Sequence, residues 1–419
     1  MKISTKAISV LTLAVLILWS RGSAAADYET PAPRSAQEVL TAEMISGPYY
    51  RVRETVRFDG YMHHFTVDSD FGVFEVTGDA ALRKLLREIH AIAALKHIQT
   101  TEAYKKSLKE AAKKPFGFAS DLVHDPSATI TGLGKGVASI FENAYTVLTT
   151  KKQAQEDSRA EALLTLSAYK REYAYQLGVD VYSSNPVLQK ELNRVGWAGA
   201  FGSLSFSAAM MPLGAVGKAV SLPRLGKQIN EYLRERPPAK IRGDAREKLA
   251  GMGVPDDLID LFLENTSFTP RHTAVIAANL SEMKGVRNRD VYIRYALHAK
   301  DEPSADFMMH MAELLRGYHE KVSPVQTIVL SSGLILAQAA NGSALIPFPL
   351  DYGIWTRRPE VIVDHLVATY KAPGFSGNFE IWVTGRLSAM ACRELEKRGI
   401  HVEERVEQHL DFMDDSPDR

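Results

Sequence analysis

The chain has 419 residues, 45% of them hydrophobic, and its 50 basic and 50 acidic side chains balance to a formal net charge of zero. That balance excludes general nucleic-acid binding, which needs a basic surface to release counterions from phosphates. Cys392 is the single cysteine, so no intramolecular disulfide can form and core packing must hold the fold in any compartment.

Residues 1–26 read as a secretory signal peptide. Lys2 and Lys6 precede an apolar run from Ala7 to Trp19, and Ala24-Ala25-Ala26 offers a cleavage site before Asp27. The run is short for a bilayer span, which favours a cleaved signal over an uncleaved anchor. No cysteine adjoins the cleavage site, so a lipid-modified N-terminus is excluded. The expected location is periplasmic or extracellular, with the signal cut after Ala26. Its removal takes away Lys2, Lys6 and Arg21, leaving 47 basic against 50 acidic side chains and a net charge of −3.

A Pro- and Ala-rich leader follows. From Tyr50 the pattern has period two: Tyr50, Val52, Val56 and Phe58 share one face, and Arg51, Arg53, Thr55 and Arg57 the other. Asp59-Gly60 is a hairpin signal, and "YMHHFTV" and "FGVFEV" supply two more strands of a three-stranded meander. Asp79 is expected to cap a long helix whose stripe of Leu82, Leu85, Leu86, Ile89, Ile92 and Ala93 would cover the sheet. The lysines at 105, 106, 109, 113 and 114 form a basic end that reads as a solvated face complementing the helix dipole.

Residues 116–236 are rich in Gly and Ala. They include a helix at about 159–177, a short helix after "SSNP", and an uncharged stretch at 195–217. That stretch is long enough to span a bilayer, but its five glycines, three serines and Pro212 favour a buried hairpin or core. Gly196, Ala200, Gly199 and Ser203 would allow close helix approach. Pro237-Pro238 marks a boundary, and 237–322 holds short amphipathic segments of unequal length, a helical block without a fixed repeat. Beyond Pro324, "VQTIVLSS", "LILAQA" and "SALIPFP" read as a meander turning at Asn341-Gly342. A helix around 360–370 follows, then a βαβ unit whose strands, Phe379–Val383 and 401–405, should be parallel neighbours. An acidic tail closes the chain at 411–419.

Catalytic patterns fail on spacing or context. His63 and His64 are adjacent on a strand and point to opposite faces; His90 and His97, seven apart on a helix, lie about 10 Å apart by helix rise. No H-E-x-x-H or paired Cys/His spacing occurs, so neither a metal site nor a cofactor is expected. "GFSGN" at 374–378 lacks the strand-before, helix-after context of a nucleophile elbow. Ser167–Lys170 and Ser281–Lys284 match S-x-x-K without companion motifs. "GLGKGV" at 132–137 and "GAVGKAV" at 214–220 lack the context of phosphate loops. Cys392 reads as a half-buried thiol.

The remaining candidate is the corner at Thr384, Arg386 and Ser388, where a strand meets a helix N-terminus and the donors suit an anion. The competing reading makes Ser388 a helix cap and the turn a packing corner.

The expected fold class is α+β. An N-terminal three-stranded meander with a long helix (27–115) precedes a Gly/Ala-rich helical region (116–236) and a helical block (237–322). A C-terminal mixed α/β module ending in βαβ (323–410) completes it. The expected function is that of a non-enzymatic, envelope-associated binding or structural protein, partnered by an unidentified protein or envelope component. The alternatives are an exported hydrolase with a non-contiguous site, and a membrane-active protein using 195–217.

Overall fold

A computed structural model describes residues 28–111, 154–210, 227–371, 377–410 and 412. The signal segment, both glycine-lysine loops, most of "GFSGN", residues 211–217 and all of the acidic tail but Phe412 lie outside the described residues. The fold is α+β, with 55% helix and 18% strand: an antiparallel sheet near the N-terminus, a helical middle and a mixed sheet at the C-terminus.

The N-terminal sheet is built around the strand His63–Ser69. One edge pairs with Gly72–Thr77 along its whole length. The other edge is shared by Thr55–Phe58, opposite His63 and His64, and by Tyr50–Val52, opposite Val67 to Ser69. The single strand expected from Tyr50 to Phe58 is thus broken at Arg53 and Glu54. The break is two residues long, so parity survives: Tyr50, Val52 and Val56 are buried, and Arg51, Arg53 and Arg57 exposed. Leu82, Leu85, Leu86 and Ile89 of the helix Asp79–Thr100 pack on that apolar face with Phe65 and Val67.

Asp79 does not cap that helix. Gly78, at φ +100°, takes the N-cap position without a side chain, and Asp79 becomes the first helical residue. Its carboxylate is thereby turned out of the helix, toward His63.

The helix after "SSNP" is longer than its sequence suggests. Asn185 caps it through the N–H groups of Val187 and Leu188, Pro186 starts it, and it runs to Phe201. It therefore takes in the first part of the uncharged stretch, whose Val195, Trp197, Ala198 and Phe201 are buried. A Cβ on Gly199 would lie 2.5 Å from the Tyr169 ring, so this glycine sets the close approach to the helix Ala154–Gln176. No helix among the described residues is long and apolar enough to cross a membrane.

The helical block comprises Pro238–Gly251, Asp256–Glu264, Pro270–Glu282, Arg289–Ala296 and Glu302–Lys321. Its core continues across Pro237, with Ile229 and Leu233 joining Ile241, Ala245 and Leu249. The C-terminal sheet places the antiparallel strands Val325–Ser331, Leu334–Ala339 and Ala344–Phe348 beside Phe379–Val383 and Ile400–Glu403. The last two are parallel neighbours in the register Phe379↔Ile400, joined through the helix Ala389–Lys397.

The first and last layers are stitched together by backbone. Asp351 and Tyr352 N–H groups donate to Tyr61 O, Ile354 N–H to Gly60 O, and Glu29 N–H to Trp355 O. The Arg34 guanidinium lies over the Tyr352 ring.

Candidate functional site

The seam between these layers gathers three titratable side chains from distant parts of the chain. His63 opens its strand and is 3% exposed, its ring set between Phe58 and Phe65. Its Nδ1 is 2.9 Å from Asp79 Oδ1 and 3.7 Å from Asp351 Oδ2. The backbone N–H of His63 donates to Asp351 Oδ2 at 2.8 Å, and that of Asp79 to Asp351 Oδ1 at 3.0 Å. His64 points the other way, toward Thr77 and Asp59, as alternation along a strand requires.

The Asp351 carboxyl is almost wholly withdrawn from solvent, whereas the Asp79 side chain is 30% exposed. Burial, and next the neighbouring charge of Asp79, push the Asp351 carboxyl up to about 7 against the pull of the two backbone N–H donors. A buried carboxyl group thus shares a wall with a partly exposed one. His63 Nδ1 and one oxygen from each aspartate lie within 4.8 Å of one another, the one described triplet close enough to share a cation. The bonds on show are those to one another and to backbone.

Asp79 and Asp351 line a narrow cleft of about 90 Å³ with Lys84, Arg271, Asp306 and Thr384. The charged groups around it are held in pairs. Lys84 Nζ is 2.7 Å from Glu302 Oε1, and His272 Nε2 is 2.7 Å from Asp306 Oδ1. Arg271, 2% exposed, faces Asp180 at 3.9 Å. Burial pushes Asp306 up, but the hydrogen bond and charge of His272, with the charge of Lys84, hold its carboxyl well below the usual range. Burial alone would depress the Lys84 ammonium; Glu302, Asp306 and Glu88 hold it above its ordinary value instead.

The corner at Thr384, Arg386 and Ser388 belongs to this site in an unforeseen way: it seats Asp351. Thr384 Oγ1 donates to Leu350 O at 2.8 Å and accepts from Leu350 N–H at 2.9 Å. Arg386 N–H donates to Asp351 O, and Ser388 N–H to Gly353 O. A Cβ on Gly385 would lie 1.9 Å from Asp351 O, so only glycine lets the two backbones meet here. Ser388 Oγ caps its helix through Ala391 N–H and donates to Glu29 Oε2, while Glu404 accepts from Leu387 N–H. The carboxylates at this helix start come from the chain itself. The Arg386 side chain is exposed.

Of the expected trio, only Thr384 lines the cleft. Sequence reasoning missed His63 and Asp351 as partners, because the bonds joining Asp351 to His63 and Asp79 span 288 and 272 residues. The one local hint at Asp351 is a lone acid following an apolar strand in "PFPLDYG". The two S-x-x-K pairs show no nucleophile arrangement: Ser167 accepts from Arg171, Lys170 donates to Gln189, and Ser281 bonds Ala278 O. Cys392 is half-buried, with its thiol pushed up by burial and by Glu404.

No family model, curated protein or solved structure matches the chain.

Proposed function

We propose that the protein is an exported hydrolase whose narrow cleft performs acid–base chemistry with Asp79 and Asp351. The observation that carries this reading is the juxtaposition of a partly exposed and a buried carboxyl group in one cleft wall. Two neighbouring carboxyl groups in unlike surroundings, one reached by solvent and one buried, can divide the roles of base and acid. Asp79 takes a proton from an attacking water, and Asp351 gives its own to the leaving group. His63 fixes Asp79 through Nδ1, and the Thr384–Ser388 corner fixes Asp351. Export rests on the N-terminal sequence alone.

A second reading has its own observation. Asp351 accepts two backbone N–H groups from the opposite layer, which is also how a carboxylate staples two layers together. On that reading the protein is a non-enzymatic envelope component, and the seam is structural.

The two are separated by assaying the full chain on chromogenic glycosides, esters and a labelled peptide library, beside Asp79→Asn and Asp351→Asn. Turnover lost in both variants while their melting transitions remain cooperative supports the hydrolase. Turnover retained in both variants, or none with any substrate class, favours the envelope component.

A further inference from the structure

Of the described sheet edges, one is long, regular and uncovered. The far edge of the N-terminal sheet ends in the two-residue strands Arg34–Ser35 and Ser46–Gly47. In the C-terminal sheet the edge strand Val325–Ser331 is bulged, and Arg287 bonds to Gln326 and Ile328 across it. The opposite edge strand, Ile400–Glu403, stops after four residues. Gly72–Thr77 differs from all of these. It has six residues in unbroken register with His63–Ser69, and no other strand pairs with it among the described residues. It carries no proline or lysine, the usual guards of an edge, and Val73 is 60% exposed.

The ladder fixes which backbone groups are spare. Gly78 N–H donates to His63 O, while Arg53 N–H donates to Thr66 O from the other side. Backbone groups alternate in direction along an antiparallel strand. Phe74 and Val76 therefore bond to Val67 and Phe65, and Val73, Glu75 and Thr77 turn their N–H and C=O groups outward. No described residue bonds those outward groups.

A chamber of about 300 Å³ lies beside this edge, lined by Phe74, Glu75, Val76 and Thr77. Successive side chains of a strand point to opposite faces, so a chamber that touches all four runs along the edge itself. The spare N–H and C=O groups select an extended backbone as its occupant. Glu75, central among the outward residues, has a 74% exposed side chain and meets Arg57 only at 4.0 Å, so it selects a cation. A second copy of this strand is a poor match. The antiparallel register that pairs all three outward residues sets Glu75 against Glu75.

We propose that the edge Gly72–Thr77 takes up an extended segment of a partner protein as an added strand, with a lysine or arginine of that segment beside Glu75. The proposal does not depend on any chemistry at Asp79 and Asp351.

The test is selection of a random peptide library against the full chain, followed by anisotropy titration of the enriched peptides. Those peptides are expected to carry lysine or arginine. Methylating one alternate set of their backbone nitrogens should weaken binding by about 10-fold or more, and methylating the other set should not. Glu75→Lys, a change on an exposed side chain, should weaken binding by about 5-fold. Bound peptide should slow amide exchange at Val73, Glu75 and Thr77 and leave Phe74 and Val76, which are already bonded, as they were. No enrichment, affinity indifferent to backbone methylation and to Glu75→Lys, or slowed exchange confined to other residues would overturn the proposal. Enrichment of this chain's own Gly72–Thr77 sequence would overturn it too, in favour of a second copy.

Discussion

Asp351 caps a helix that begins 272 residues before it, accepting the Asp79 backbone N–H at 3.0 Å where Gly78 has no side chain to offer. The same carboxylate holds the first N–H of the strand beneath. One side chain of the C-terminal layer thereby fixes the start of both main elements of the N-terminal layer.

Asp351→Ala should therefore destabilise the protein more than an ordinary cap deletion. It leaves two buried N–H groups without acceptors, and the expected loss is about 2 kcal/mol or more. Asp351→Asn, which keeps one acceptor oxygen, should lose less. Urea midpoints at pH 6 would rank them.

The proton on Asp351 makes a second prediction. Burial pushes its folded carboxyl up to about 7, from an ordinary value of 3.8. Between those values the native chain holds a proton that the unfolded chain has released, so stability falls as pH rises through that window. The difference in unfolding free energy between the parent and Asp351→Asn should shift against the parent from pH 4.5 to 7.5. A difference flat in pH would show that Asp351 ionises in the ordinary range.

Lys170 has the opposite sign. Burial depresses its ammonium to about 7 from 10.5, so the unfolded chain takes up a proton that the native chain refuses. Stability from this site is fully present above the unfolded value, is lost as pH falls from 10.5 to about 7, and is constant below. Lys170→Met removes the titration. Relative to the parent, its melting temperature should rise as pH drops from 10 to 7, whatever the fixed cost of leaving Gln189 Oε1 without its bond.

Two glycines give a paired control. A Cβ on Gly385 would run into the Asp351 and Leu350 carbonyls at 1.9 and 2.5 Å, and backbone cannot swing aside as a side chain can. Gly385→Ala should lower stability by about 3 kcal/mol. Gly243, inside the helix Pro238–Gly251, meets nothing within 4 Å, and Gly243→Ala should raise stability by about 1 kcal/mol. Denaturant melts of the two variants, side by side, check both.

What could be read from the sequence was whatever repeats within one element. The stripe from Leu82 to Ile92 and the alternation from Tyr50 to Phe58 each restate a burial direction several times, so one break at Arg53 and Glu54 could not hide it. The parallel pair Phe379–Val383 and Ile400–Glu403 was legible for the same reason. Asp79 misled because aspartate before an apolar stripe is a favoured cap; the positive φ that lets Gly78 take that place has no signature beyond the glycine itself. The seam was illegible because each of its members appears once. The corner at Thr384 was found, but its role was not, since the segment it grips lies more than thirty residues upstream.

The stitching of the outer layers also sets an order of assembly. Glu29 waits for Trp355 and Ser388, Tyr61 for Asp351, and the long helix for a cap that is synthesised near the end. During synthesis the N-terminal layer can collapse on its own apolar face, but its seam stays open until residue 351 has been added. Such long-range closure is slow relative to local helix formation. A chain crossing a membrane N-terminus first would meet the same delay, and would remain unlocked, hence threadable, for most of the passage.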